Sequence, residues 1–368
     1  MEELRIPGPT PCPPEILQAT ARQMIDHRGS EFVKIMNRMT DKLKQAFMTK
    51  NDLLTFTGSG TGGMEAMVVN MLSPGDRVLA VTIGSFGDRF INIARKFGAD
   101  VVPMNVEWGQ AADPDAIRKA LQADAKIKAV LITHNETSTG VTNDLGAISK
   151  VVKGMDKLLL VDAISSMSSI RCPVDEWNLD VVASGSQKGW MVPPGLVFVS
   201  VSPEAWKAHA NAKMPRVYWD FTQAKTYLER GQTPWTPAVS IVFAMDIALD
   251  MILKEGLDNV FARHAKAAKA ARDGVKSLGL TLYGDEKHAS NTVTAVDCPK
   301  GVEVKNLRKI LREEYQVVLA GGQGKIEESI FRIGHLGWVN EADIKKVLVA
   351  LKAALPKAGF AAKVDPSR

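Results

Sequence analysis

The sequence predicts an α/β protein with a mainly parallel, seven-stranded sheet between helices, followed by a smaller α+β domain. From residue 53 to residue 200, short apolar runs alternate with amphipathic segments. This pattern is typical of strands that are covered by helices on both faces of one sheet. The pattern changes after Gly256, and 368 residues that are 45% hydrophobic can form more than one domain. We therefore expect an N-terminal arm over 1–20, a large domain over 21–255 and a small domain over 256–368.

The predicted elements follow from the chain in order. The segment from Ile6 to Pro14 is too rich in proline for a helix or an inner strand, because proline lacks a donor and restricts the residue before it. The predicted strands of the large sheet are 53–57, 77–81, 101–106, 128–133, 157–161, 180–184 and 196–200. The predicted helices are 14–27, 30–48, 61–72, 86–97, 113–122, 144–153, 238–254, 257–278, 302–315 and 341–354. We expect functional loops at the carboxyl ends of the strands, and a ligand cleft between the two domains.

Composition disfavours several classes of partner. The net charge is only +5 and no long basic run occurs, so we expect neither a nucleic acid nor an anionic membrane as partner. No apolar run reaches the ~18 residues of a membrane span. The three cysteines are far apart and lack metal-ligand spacing, which indicates reduced thiols, no metal site and a cytoplasmic protein. His134 and His335 also lack such spacing, and we interpret both as structural or cleft-lining.

Lys188 stands in a loop of small and kinked residues, Ser184-Gly-Ser-Gln-Lys-Gly-Trp-Met-Val-Pro-Pro-Gly195, directly after an apolar run. A loop at a strand end exposes its side chains to a cleft. A lysine taken at random is a solvated surface charge, but this position favours a reactive amine that forms a Schiff base.

A glycine-rich segment, Thr57-Gly-Ser-Gly-Thr-Gly-Gly63, connects a predicted strand to a predicted helix. Free N–H groups and the helix dipole make such a loop suitable for phosphate. A dinucleotide site needs an acidic residue at the end of the next strand, which ends Ala80-Val-Thr-Ile-Gly84 without one. We therefore interpret the loop as a site for a single phosphate, with Ser59 and Thr61 as hydroxyl donors.

Asp162 ends the apolar strand Leu158-Leu-Leu-Val-Asp162. Alone, an aspartate at a strand end is more often a helix cap or a turn former. Beside a phosphate site and a reactive lysine it has a specific use, because a carboxylate keeps a pyridine nitrogen protonated, as pyridoxal phosphate chemistry requires.

The motifs together resemble one family over essentially the whole chain. In order they read GSGTGGMEA, GSFGDR, HNETSTG, VDAISS, SGSQKGWMVPPG and FRIGHLG. This order resembles the class V aminotransferases of pyridoxal phosphate fold type I. The most similar group comprises the alanine-glyoxylate and serine-glyoxylate aminotransferases, including sequences labelled as a small subunit of soluble hydrogenase.

The resemblance implies roles for residues around the ring of pyridoxal 5'-phosphate. Lys188 would bind the cofactor as a Schiff base and later carry a proton, while Asp162 would pair with the ring nitrogen. Phe86 would stack on the ring where relatives often have Trp, and Ile164 would pack against the other face. Thr137 would lie near the ring hydroxyl or the substrate carboxylate.

The resemblance also implies residues for the phosphate. Ser59, Gly60 and Thr61, aided by Gln187, would hold it, although the family often has His at the position of Thr61. Thr236 would reach the phosphate of a neighbouring subunit, which makes a homodimer with active sites at the subunit interface the expected active unit.

For the substrate, the resemblance implies that Arg332 binds the α-carboxylate with two hydrogen bonds and that Gly8 lies near the side-chain pocket. The expected reaction is ping-pong transfer of an amino group from alanine or serine to glyoxylate or a similar 2-oxo acid. No second arginine occupies a motif position suited to a distal carboxylate, which favours small neutral donors.

Three alternatives remain open. In the first, the enzyme is an aminotransferase whose donor is aspartate or another amino acid. In the second, it is a cysteine desulfurase or lyase. In the third, it is a non-catalytic subunit of a hydrogenase complex. Desulfurases usually have His where Gln187 and Phe86 stand, and they need a cysteine in a catalytic loop.

Overall fold

The computed structural model describes residues 2–360. Met1 of the predicted arm and residues 361–368 of the predicted small domain lie outside this part of the chain. The strands are β1 (Glu3–Arg5), β2 (Asp52–Gly58), β3 (Arg77–Thr82), β4 (Asp100–Asn105), β5 (Ala129–Thr133), β6 (Asn135–Glu136), β7 (Val141–Thr142), β8 (Leu158–Asp162), β9 (Val181–Gly185), β10 (Gly195–Val201), β11 (Val293–Asp297), β12 (Val317–Gly321) and β13 (Ile330–Gly334).

The α-helices of the described residues connect these strands. They are α1 (Pro14–Thr20), α2 (Ser30–Phe47), α3 (Gly60–Met71), α4 (Ser85–Lys96), α5 (Pro114–Ala123), α6 (Leu145–Lys153), α7 (Pro203–His209), α8 (Phe221–Leu228), α9 (Val239–Glu255), α10 (Leu257–Ser277), α11 (Val304–Tyr315) and α12 (Glu341–Lys357). No helix in residues 2–360 combines the length and the apolar character needed to cross a membrane.

The large sheet has seven strands in the order β2-β10-β9-β8-β5-β3-β4, which confirms the predicted mainly parallel α/β sheet. Only β10 runs antiparallel to its neighbours. The other strands therefore end at the same edge of the sheet, so Gly58, Thr82, Thr133, Asp162 and Gly185 come close together there. This edge carries the site described below.

The inner strands of the large sheet are buried on both faces because they are largely apolar along their length, whereas the edge strand β4 is partly exposed. In β8, Leu159 and Val161 belong to the core on the side of α2 and α9, whereas Leu160 belongs to the core on the side of α3 and α4. Alternate side chains of a strand point to opposite faces, so a continuous apolar run is needed when helices cover both.

The small sheet has the order β1-β12-β13-β11, and β1 pairs with β12 in parallel. The predicted arm over 1–20 is therefore divided among three places. Its first residues form an edge strand of the small sheet, its proline-rich middle crosses the cleft, and α1 inserts Ile16 into the core of the large sheet. The predicted boundary between the large and the small domain, at residues 255 and 256, stays a prediction.

Two regions of the helix prediction differ from the structure. The helix predicted over 14–27 ends at Thr20, and Asp26 accepts a hydrogen bond from the N–H of Arg28 at 2.8 Å in a turn that competes with helix. The sequence prediction also omits α7 and α8. Both begin at side-chain caps, Ser202 and Asp220, which are the signals that indicate them.

Candidate active site

A cavity of about 700 Å³ lies at the carboxyl edge of the large sheet, between it and the small sheet. Several residues predicted from separate motifs line it together: Gly8, Phe86, Thr137, Lys188 and Arg332. They come from the proline-rich segment, from α4, from the loop after β6, from the loop after β9 and from β13. The fold therefore joins distant parts of the sequence in one cleft.

Lys188 extends from the loop after β9 towards the proline-rich segment. Its Nζ donates a hydrogen bond to the carbonyl of Pro7, and its own carbonyl accepts one from Thr10 Oγ1 at 3.0 Å. Gly8 lies so close that a Cβ there would be 2.6 Å from Lys188 Nζ, and its φ of +120° also disfavours a side chain. The position of Gly8 beside the amine thus depends on its being glycine.

The loop that carries Lys188 is held by buried contacts. Trp190 is fully buried, stacks on Phe47 with 5.8 Å between ring centroids, and donates from Nε1 to Ser184 Oγ at 2.9 Å. Ser186 Oγ donates to the carbonyl of Pro193 at 2.7 Å. These contacts hold in place the backbone from which the side chain of Lys188 extends into the cleft.

Burial changes the proton affinity of two groups here. It lowers the pKa of Lys188 from 10.5 to about 8, an effect that Asp162 opposes and that Arg332 and Arg89 reinforce. It raises the pKa of Asp162 to about 6, although the N–H of Ile164 and the hydroxyl of Thr133 donate to that carboxylate at 2.9 and 3.3 Å. Near neutral pH, the carboxylate of Asp162 is ionised while Lys188 can lose its proton.

The glycine-rich loop that we predict to hold a phosphate leads into the N-terminus of α3. Ser59 occupies the N-cap position, but its side chain makes no capping hydrogen bond, and the N–H groups of the first helical turn lack partners within the helix. The amide oxygen of Gln187 is buried and has no hydrogen-bond partner in the described residues. Gln187 lies beside Gly60, because a Cβ at Gly185 would be 3.1 Å from Gln187 Oε1 and 3.5 Å from Gly60 N. Unpaired polar atoms at a helix N-terminus fit a bound phosphate.

Apolar surfaces lie next to this loop. Phe86 lines the cavity, and Ile164 packs so closely on Gly60 that a Cβ there would be 2.5 Å from Ile164 Cδ1. The guanidinium of Arg89 lies 4.7 Å from the centre of the Phe86 ring and donates to Thr61 Oγ1 at 3.0 Å. A flat ring whose phosphate lies at α3 would find apolar groups here.

Arg332 is buried in β13 with its guanidinium held in orientation. Nε donates to the carbonyl of Gly321 at 2.8 Å, and Nη1 donates to the carbonyl of Thr137 at 2.9 Å. Burial lowers the pKa of Arg332 to about 10, so it stays a cation at neutral pH. Its Nη2 makes no hydrogen bond within residues 2–360 and can donate to a ligand.

Glu136 is a site residue that the sequence reasoning missed. Its buried carboxylate accepts hydrogen bonds from the N–H groups of Phe86 and Gly87, both at 3.1 Å, and from Ser138 Oγ at 2.6 Å. It thereby caps the N-terminus of α4 and holds Phe86 in the cavity. Burial raises the pKa of Glu136, against these hydrogen bonds. The available signal was an acidic residue inside the motif HNETSTG.

Some predicted residues lie away from the cavity of this chain. Thr236 is exposed and does not line it. His134 and His335 are buried and hydrogen-bonded, to Ser166 Oγ at 2.9 Å and to Thr294 Oγ1 at 2.8 Å, and burial lowers their pKa values to about 4 and about 3. In residues 2–360, no group of three His, Cys, Asp or Glu side chains is arranged to hold a metal ion.

Comparison with known proteins gives one consistent family. The family model Aminotransferase class-V matches residues 7–334. The chain is 45% identical over 359 residues to the soluble hydrogenase 42 kDa subunit of Anabaena cylindrica, covering 97% of this chain and 94% of that protein. It is 37% identical over 374 residues to serine–glyoxylate aminotransferase of Methylorubrum extorquens, covering 99% and 92%. The crystal structure of ureidoglycine-glyoxylate aminotransferase from Bacillus subtilis is similar with a TM-score of 0.95 at 29% identity, covering 99% of this chain and 95% of that one.

Proposed function

The chain belongs to the class V aminotransferases, and from this premise we propose that it moves an amino group from a small L-amino acid, alanine or serine, to glyoxylate or a similar 2-oxo acid. Members of this family are transaminases that use pyridoxal 5'-phosphate. The observation that carries the proposal is the cavity in which Lys188, whose pKa is lowered to about 8, lies together with the fixed guanidinium of Arg332.

The residues around the cavity fit this cofactor. Ser59, Gly60, Thr61 and Gln187 would hold its phosphate at the N-terminus of α3, and Asp162 would face the ring nitrogen. Phe86 and Ile164 would pack on its two faces, with Thr137 near the ring hydroxyl or the substrate carboxylate. When bound, pyridoxal 5'-phosphate supplies a carbonyl carbon that accepts the amino group and a protonated ring that accepts the electron pair left at Cα.

Arg332, Lys188 and Asp162 each have a separate role in the proposed reaction. Arg332 binds the α-carboxylate of the amino acid and so directs its Cα–H bond towards Lys188. Lys188 Nζ, neutral above about pH 8, removes the proton from Cα and holds it for return. Asp162 is ionised above about pH 6 and keeps a proton on the ring nitrogen through its negative charge. Pro7 and Gly8 lie over Lys188, and the carbonyl of Pro7 accepts a hydrogen bond from its amine.

The donor and the acceptor are proposed on two grounds. The relative from Methylorubrum extorquens is named for serine and glyoxylate, and the structural relative from Bacillus subtilis is also named for glyoxylate. Each of these two relatives aligns with 99% of this chain. Aspartate or another amino acid remains the alternative donor for the same chemistry.

A homodimer is part of the proposal. Thr236 is exposed on its own chain, and apolar side chains are exposed nearby in sequence, with Val217 at 76% and Tyr218 at 41% of full exposure. Such a surface supports contact with a second copy, whose phosphate Thr236 would reach. The three cysteines are unpaired, which supports a reducing, cytoplasmic location.

A donor and acceptor screen tests the reaction. We expect the holoenzyme to form pyruvate from alanine, or hydroxypyruvate from serine, before any acceptor is added, because ping-pong transfer releases the first product early. Double-reciprocal plots against glyoxylate should then be parallel. Intersecting lines, or no product from any amino donor, would contradict the proposal.

A further inference from the structure

The cavity holds a second arginine that no motif indicates. Arg308 comes from α11, in the small domain, and lines the same cavity as Lys188 and Arg332. Its side chain is half-buried, whereas the charged residues next to it on the helix, such as Lys305 and Lys309, are exposed. Of the cations on α11 that line the cavity, Lys305 is exposed and Arg308 is half-buried.

Gly321 brings the two guanidinium groups near each other. Arg332 Nε donates to the carbonyl of Gly321 at 2.8 Å. Arg308 Nη1 lies 3.1 Å from the point where a Cβ of Gly321 would be, so the absent side chain leaves the space that this guanidinium borders. Both guanidinium groups therefore lie close to one residue of β12.

The guanidinium of Arg308 is hydrogen-bonded within the chain through Nε, and its two Nη atoms are not. Its Nε donates to the carbonyl of Leu319 at 2.9 Å, which orients the planar group. In residues 2–360, neither Nη atom makes a hydrogen bond, and no carboxylate oxygen lies within the 4.0 Å of an ion pair. Glu303, Glu327 and Glu328 also line the cavity, and Glu328 is paired with Lys305 at 3.5 Å.

We propose that Arg308 forms a second anion subsite, which binds the side-chain carboxylate of a dicarboxylic amino acid or 2-oxo acid while Arg332 binds the α-carboxylate. The inference rests on the proposed aminotransferase function and extends its substrate class beyond small neutral donors. A guanidinium with free Nη donors and a fixed plane is suited to a carboxylate. The glutamates that line the cavity repel a carboxylate elsewhere on its wall. We therefore expect the second carboxylate of the substrate to bind at Arg308.

Binding of substrate analogues tests the subsite without turnover. Calorimetry on the holoenzyme would compare succinate, which has two carboxylates, with butyrate, which has one. We expect succinate to bind roughly tenfold more tightly, and Arg308→Gln to abolish that difference while butyrate binding stays the same. Lys309→Gln is the matched control, since it removes one positive charge from the same helix at an exposed residue that does not line the cavity, and it should leave the ratio unchanged.

Steady-state kinetics give the second measurement. In Arg308→Gln, kcat/KM for L-aspartate should fall roughly tenfold or more relative to kcat/KM for L-alanine. Alanine turnover and the thermal midpoint report whether the variant is folded, and Arg308→Lys should recover only part of the loss because it lacks the planar donor pair.

The outcomes separate the two proposals. If alanine reacts but the succinate to butyrate ratio is the same in Arg308→Gln as in the wild type, the subsite is wrong and the aminotransferase function stands. If no amino donor reacts, the proposed function fails, and the succinate measurement still decides whether Arg308 binds a second carboxylate. An equal loss of succinate binding in Lys309→Gln would also overturn the subsite, because it would show a general effect of charge.

Discussion

The two ends of the cavity are built in different ways. The end with Lys188 lies at one edge of a single, mainly parallel sheet, where Gly8 of the proline-rich segment covers the amine and where Asp162 and the N-terminus of α3 lie next to the cavity without lining it. The end with Arg308 and Arg332 is assembled from α11 and β13. The first end carries several short sequence motifs, whereas at the second end Arg332 lies in the motif FRIGHLG and Arg308 lies in none.

Their electrostatics also differ. The first end combines two buried acids, Asp162 and Glu136, with the free N–H groups at the N-terminus of α3. The second end has two guanidinium groups around Gly321. A family can therefore keep one reaction at the sheet edge while the small domain determines which acid is bound.

The largest expected effect is at Lys188. Lys188→Ala should lower turnover by roughly 10²- to 10⁴-fold or more for every donor, because it removes the base that moves the proton. Single-turnover absorbance measures this, and Lys150→Ala, an exposed lysine on α6, should be close to wild type. Ordinary turnover in Lys188→Ala would refute the assignment of the first end.

The second effect concerns Arg332. Arg332→Lys loses the guanidinium bonds to Gly321 and Thr137 and one donor to the substrate, so KM for amino acids should rise roughly tenfold to a hundredfold. The amount of bound cofactor should not change, since Arg332 belongs to the other end of the cavity. A loss of cofactor without a change in KM would show that the two ends are not separable.

The third prediction is a pH dependence. Because burial lowers the pKa of Lys188 to about 8, its reactive neutral amine predominates above that pH and its ammonium form below it. The rate at which the apoprotein captures pyridoxal 5'-phosphate should thus rise about tenfold per pH unit below pH 8 and level off above it. Stopped-flow absorbance measures this rate. A rise that continues to pH 10 would indicate an unshifted lysine.

The smallest effect is expected at Glu136. Glu136→Gln replaces a carboxylate that accepts from the N-terminus of α4 with an amide, which should lower the free energy of unfolding by about 1–2 kcal/mol. Cofactor affinity should fall severalfold as Phe86 loses its fixed position. Urea unfolding and cofactor titration measure the two quantities. Glu303→Gln is the control, since Glu303 precedes α11 without a capping hydrogen bond, and an equal loss there would contradict the role of Glu136.

Local pattern was enough to predict much of the molecule. The inner strands of the large sheet follow from continuous apolar runs, which are typical of strands covered on both faces, whereas the edge strand β4 is partly exposed. The family was recognised from the same loops, since the glycines before α3 and the small residues around Lys188 are needed for close approach at the sheet edge. The roles of Ser59, Gly60, Thr61 and Lys188 in binding and catalysis stay predictions.

Tertiary structure decided what depends on elements far apart in the chain. The pairing of β1 with β12, the cap that Glu136 places on α4, and the entry of Arg308 into the cavity all join segments with no common motif. Sequence by itself determined the apolar periods, the turns and the loop that carries Lys188, because these depend on neighbours along the chain. That Arg308 lines the same cavity as Arg332 was decided only by packing the small domain against the sheet, since a side chain on a helix meets water or a ligand according to where that helix is placed.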